Sequence, residues 1–148
     1  MQTVTSAIGT LREALRDGEK GFATAAEDAK RQDLKELFQN YSSQRAEFGL
    51  ELDRQVRLLG ETPDQSSTVT GALHRGWIEL RAAVSTGGDV AVLEECLRGE
   101  ESALATYQTA LDDPNIIGEL REVAMSQRRN IQSAFDGISS LRAASAAS

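Results

Sequence analysis

A short polar signature recurs in the two halves of this 148-residue chain. Gly18-Glu19 is followed by Ser43-Gln44-Arg45, and Gly99-Glu100 by Ser126-Gln127-Arg128, with the length of one helical hairpin between the members of each pair. Around all four motifs apolar residues recur at three- and four-residue steps, the period of an amphipathic helix. A chain built twice from such a hairpin can bury its apolar stripes by packing the two hairpins face to face, as a four-helix bundle with approximate twofold symmetry. That symmetry brings the two glutamates and the two Gln-Arg pairs towards one another at mid-bundle.

In the first half, Val4, Ile8, Leu11, Leu15, Phe22, Ala26 and Ala29 predict a helix over about residues 3–29. Glu19 falls four residues after Leu15 and three before Phe22, within the apolar stripe, flanked by Gly18 and Gly21. Glycines in a helix interior cost about 1 kcal/mol each, so they point to a close neighbour or to room for a bound group. The second helix is expected from Asp33, as N-cap, to Leu59. Leu34, Leu37, Tyr41, Phe48, Leu52, Val56 and Leu59 face inward, and Gly60 is the stop signal. The short Lys30–Gln32 link forces an antiparallel hairpin, and the polar stretch Glu61–Ser67, with Pro63, reads as one long crossing loop.

In the second half, Val69, Leu73, Trp77, Leu80 and Val84 mark a further helical segment, broken at Ser85-Thr86-Gly87-Gly88 and restarted by the N-cap Asp89. The restarted helix turns Val92, Leu93, Cys96, Leu97, Ala103, Leu104, Tyr107 and Leu111 inward, with Glu100 among them. Asp113-Pro114 has the form of an N-cap followed by proline at the first helical position. The last helix then uses Ile117, Leu120, Val123, Ala124, Ile131, Ala134, Phe135, Ile138 and Leu141. Residues 1–142 read as a single bundle domain and 143–148 as a frayed tail of small residues. Nothing reads as a strand.

The net charge of −7 argues against nucleic acid or an anionic membrane surface as partner, since both call for clustered Lys and Arg. No apolar run approaches the roughly 20 residues of a membrane span. Met1–Thr10 has neither a basic leader nor an apolar signal core, and the lone Cys96 cannot form an internal disulfide, so the cytoplasm is expected. Cys96 reads as a buried small hydrophobe.

Four segments carry a resemblance: Asp17-Gly18-Glu19-Lys20-Gly21-Phe22, Ser43-Gln44-Arg45-Ala46-Glu47-Phe48, Leu73-His74-Arg75-Gly76-Trp77 and Glu95-Cys96-Leu97-Arg98-Gly99-Glu100. In order and in helical placement they resemble the bacterial ferritin-like four-helix-bundle family catalogued as a domain of unknown function, over about residues 4–140. The resemblance implies an all-α, ferritin-like antiparallel four-helix bundle made from two helical hairpins, with an extra short helix before the third bundle helix. It implies no activity.

Two readings of the polar seam stay open. In the first, Glu19, Glu47 and Glu100 hold a metal, with Gln44 and Gln127 completing the site, for storage of iron or manganese or for oxidoreductase chemistry. Di-iron bundles, however, use carboxylates with Glu-x-x-His motifs. This chain has Gln44-x-x-Glu47 and Gln127-x-x-Asn130 instead, and its single histidine, His74, lies outside the repeat. Amide oxygens suit a hard ion such as magnesium or calcium better than oxygen chemistry. In the second reading the seam is a buried hydrogen-bond network without cofactor. Its glutamates are satisfied by glutamine amides or by arginine, because an unpaired buried carboxylate costs several kcal/mol or takes up a proton. Periodicity does not decide between Gln44 and Arg45, or between Gln127 and Arg128, as the inward residue.

His74 and Trp77 are expected to pack the short helix on the bundle. Within Glu94-Glu95 and Glu100-Glu101 one member of each pair faces inward. The corresponding functions are a non-enzymatic interaction or stress-associated module, self-associating or bound to a protein partner, and, as the alternative, a metal-binding protein.

Overall fold

The computed structural model describes residues 2–63 and 80–147. Among these residues there are four helices and no strand: α1 (Gln2–Asp28), α2 (Gln32–Leu58), α3 (Leu80–Leu111) and α4 (Gly118–Ala147). The short helix expected around Val69–Trp77, with His74, lies outside the described residues. Among the described residues no helix is long and apolar enough to cross a membrane.

The helix ends follow local chemistry, with three departures from expectation. The last carbonyls of α1 are capped by Lys35, whose Nζ donates to the oxygens of Ala26 (3.1 Å) and Glu27 (3.0 Å). Arg31, with extended backbone (φ −73°, ψ 132°), is the N-cap of α2 and makes no side-chain cap. Asp33, expected there, sits inside the first turn, where a negative charge suits the helix's positive end. Its carboxylate accepts from the Arg31 guanidinium at 2.7 and 3.1 Å. The C-terminus of α2 behaves as expected. Gly60 has φ +82° and donates to Arg57 O, while Glu61 N donates to Val56 O, the paired bonds of a glycine-terminated helix.

The break in α3 is real. Gly88 adopts φ 64°, ψ −149°, a region open essentially to glycine alone. Asp113-Pro114, however, does not open α4. Asp113 Oδ1 accepts from Asn115 N (2.9 Å) and its backbone oxygen from Ile116 N (3.1 Å), so Pro114 sits inside a turn and the helix begins only at Gly118. That turn exchanges two isoleucines: Ile116 is buried, and Ile117, expected inward, is 69% exposed. Leu59, also expected inward, is half-exposed at the α2 cap, and α4 stays helical to Ala147, through most of the stretch expected to fray.

Two apolar clusters show how the helices run. One joins Leu11 and Leu15 of α1 to Leu52 and Val56 of α2, Tyr107 and Ala110 of α3 and Leu120 of α4. The other joins Phe22 and Ala26 of α1 to Leu34 and Phe38 of α2, Leu93 and Cys96 of α3 and Ile138 of α4. The start of α1 therefore shares an end of the bundle with the end of α2, the end of α3 and the start of α4. The order is up, down, down, up. Side-by-side packing joins α1 to α2, α3 to α4, α1 to α3 and α2 to α4, so α2 and α3 are parallel and diagonally opposed. The end of α2 therefore lies at the end of the bundle opposite the Leu93 segment of α3.

Candidate functional site

Between the two apolar clusters lies a polar seam, and α2 supplies its centre. The inward stripe of this helix runs Leu34, Phe38, Tyr41, Arg45, Gly49, Leu52 and Val56, so the 3.6-residue period that buries the leucines buries Arg45 too. On α3 the stripe through Leu93, Cys96, Ala103 and Tyr107 carries Glu100 in the same way. Arg45 is 1% exposed and Glu100 0%.

The two side chains meet fork to fork across the bundle diagonal. Arg45 Nη1 donates to Glu100 Oε1, and Nη2 donates to Oε2 at 2.6 Å. Arg45 Nε donates to Gln44 Oε1 at 3.2 Å, and its Cζ stands 5.1 Å from the ring centroid of Phe22. Such a face-on cation contact is worth about 2 kcal/mol when desolvated. Phe22 in turn packs on Phe38 and Tyr41, with centroids 5.9 and 5.2 Å away. Gly18 completes the cradle. A Cβ there would stand 3.4 Å from Arg45 Cγ, so the α1 backbone lies directly on the arginine stem.

Burial sets the protonation states. It pushes the Glu100 carboxyl above its ordinary value, and the hydrogen bonds and charge of Arg45 pull it part of the way back. Burial, aided by the Glu100 charge, pushes the Cys96 thiol well up, and burial raises the Tyr107 phenol. Both stay protonated at neutral pH. Cys96 is thus the inert core residue expected from its place in the α3 stripe.

In the second half of the repeat the choice is reversed. Gln127 is the buried residue, and Arg128 is only half-buried. Gln127 is held at both ends of its amide: Tyr107 Oη donates to its Oε1 at 2.6 Å, and its Nε2 donates to Phe48 O at 3.1 Å. A second ion pair crosses from α1 to α2, where Arg12 Nε donates to Asp53 Oδ1 at 3.0 Å, with side chains 14% and 5% exposed.

Glu19, read from sequence as inward, is exposed. Gly18 takes the core position between Leu15 and Phe22, with the Arg45 stem lying against it. Glu47 is exposed as well, and Gln44 is half-buried beside Arg45. Of the three glutamates proposed as ligands only Glu100 lies in the seam, and the structure does not bring the three together. The Glu94-Glu95 and Glu100-Glu101 expectation holds, with Glu95 and Glu100 buried.

These residues do not fit a two-metal centre. Both oxygens of Glu100 are taken by a permanent cation, the oxygen and nitrogen of the Gln127 amide are engaged, and among the described residues no three of His, Cys, Asp and Glu gather as a metal would require.

Sequence reasoning missed Phe38, Tyr107 as a hydrogen-bond donor and the Arg12–Asp53 pair. A signal for the main feature was present: Phe38 precedes Arg45 by seven residues, two full helical turns, so placing Phe38 inward places Arg45 inward.

The family model described as Domain of unknown function (DUF2383) matches residues 3–113, three quarters of the chain, including α1, α2 and the Glu100 segment. No curated protein matches the chain. The chain belongs to the DUF2383 family.

Proposed function

For this member of the DUF2383 family we propose a ferritin-like, cytoplasmic, non-enzymatic bundle that acts as an interaction or stress-associated module, self-associating or bound to a protein partner. In it a buried polar network replaces a di-iron centre. The observation that carries this reading is the Arg45–Glu100 pair at the bundle centre, because a guanidinium cannot give up its proton and so fills permanently the charge role of a metal. The helix order supports the ferritin-like assignment: up, down, down, up is the order found in ferritin-like bundles. The exposed apolar side chains Leu50, Leu58, Leu59 and Ile117 are candidates for the association surface.

Elemental analysis of the purified protein after incubation with iron or manganese tests the central claim, with light scattering to read the assembly state. The expected result is less than stoichiometric metal and a mass above that of one chain, or a protein partner recovered by crosslinking. Stoichiometric iron or manganese that survives dialysis would overturn it in favour of a metal-binding protein.

A further inference from the structure

The α1–α2 hairpin has a feature that the ion pairs alone do not reveal. Each helix lays an arginine into a glycine of the other. Arg45 of α2 lies on Gly18 of α1, and Arg12 of α1 lies on Gly49 of α2. The second notch is tight: a Cβ on Gly49 would fall 1.8 Å from Arg12 Nη1 and 2.8 Å from its Cζ. The first is looser, since a Cβ on Gly18 would make ordinary contacts at 3.4–3.8 Å.

An apolar stripe by itself specifies helix register poorly. Sliding α1 along α2 by one turn, about 5.4 Å, again sets apolar side chains of one stripe against apolar side chains of the other. With the Gly49 notch filled, the same slide drives Arg12 against a side-chain-bearing position of α2. It also pulls Arg12 of α1 away from Asp53 of α2, leaving a buried carboxylate without its partner. Fixing register is the best-attested use of buried polar and ionic groups, which contribute little net stability.

We infer that the seat of Arg12 of α1 in the Gly49 notch of α2 is a register lock that selects one alignment of the two helices, and that the Arg12–Asp53 pair makes every other alignment costly. The lock concerns the alignment of the hairpin, so it stands apart from the proposed function.

The test reads alignment directly. Spin labels go on Thr10→Cys and Glu36→Cys, both exposed and far apart along the hairpin axis, in a full-length Cys96→Ala background. Pulsed electron resonance then compares the locked hairpin with a variant whose α1–α2 ion pair becomes apolar (Arg12→Met, Asp53→Leu). The expected result is one narrow distance for the locked chain and, in the apolar variant, a second population displaced by about 5 Å at unchanged helix content. A single unchanged distance in the apolar variant overturns the lock. Should that variant not fold, the two glycines carry the test. Gly49→Ala should broaden the distance distribution and lower the urea midpoint by as much as Asp53→Asn does, with no further loss when the two are combined. Gly18→Ala should leave the distribution narrow. Equal behaviour of the two alanine variants overturns it as well.

Discussion

Replacing Arg45 with methionine keeps the bulk of its buried stem and deletes the guanidinium facing Glu100. The carboxylate is then left 0% exposed, with its strongest partner gone. Removing one member of a buried pair costs about 3–5 kcal/mol, a large share of the roughly 5–15 kcal/mol that holds a domain folded. The loss should depend on pH with a definite sign. Burial already raises the Glu100 carboxyl above its ordinary 4.5, and Arg45 is what opposes that rise, so the variant carboxyl moves further up. A carboxyl whose folded pKa lies above its unfolded value favours folding fully below the unfolded value, and that contribution disappears as pH rises through the folded one. The deficit of Arg45→Met is therefore greatest at neutral pH and shrinks by about 1.4 kcal/mol per unit of acidification within that window. The wild type has the same sign over a narrower window. In Arg45→Met/Glu100→Leu both charges are gone, the slope vanishes, and stability returns to the wild-type level or exceeds it by about 1–4 kcal/mol. Urea titrations followed by circular dichroism at neutral and mildly acid pH measure all three proteins. A single-variant deficit that does not change with pH, or a double variant no better than the single, would refute the reasoning.

Further tests probe the surroundings of the pair. Because burial keeps the Cys96 thiol protonated, iodoacetamide should modify it only as fast as the bundle opens, with rates rising in step with urea unfolding; fast modification of the native chain contradicts the packing. Tyr107→Phe strips the donor from Gln127 Oε1 in the core and should cost about 1–3 kcal/mol by thermal or urea unfolding, whereas a neutral result would place water or another donor there. Gly88→Ala forces a side chain into a region nearly closed to it and should cost about 1–3 kcal/mol, read as a lowered midpoint; an unchanged midpoint would show that α3 can run straight.

The fold was legible where the apolar period was clean. Every apolar residue read for the α1 stripe is buried, and the stops at Gly60 and Gly88 have the backbone that demands glycine. Legibility failed where one residue type serves two kinds of structure. Asp-Pro opens helices and also builds turns, and here the turn won because Asp113 caps Asn115. In α2, Leu34 and Leu37 fit the stripe as well as Leu34 and Phe38, and choosing the leucine hid the two-turn spacing to Arg45. Glu19 misled for the opposite reason. A charged residue beside two glycines looks like a ligand, yet it is the glycine before it that faces the core, with an arginine stem from another helix packed against it. Periodicity along one helix carries no information about what the opposite helix inserts. The repeat hid the seam's asymmetry too: equivalent motifs turn Arg45 inward in one half and Gln127 in the other.

The tip of the first hairpin carries a consequence for how the chain acquires its shape. The backbone N–H groups of Lys30 and Arg31 are satisfied by Asp89, 59 and 58 residues further along the sequence. A nascent chain that has just released α1 and α2 therefore holds a hairpin whose turn is chemically unfinished until α3 has been synthesised and docked. Closing that turn and placing α3 are one event, which ties the earliest local structure to the latest long-range contact and favours a single cooperative transition over a stable half-folded N-terminal hairpin.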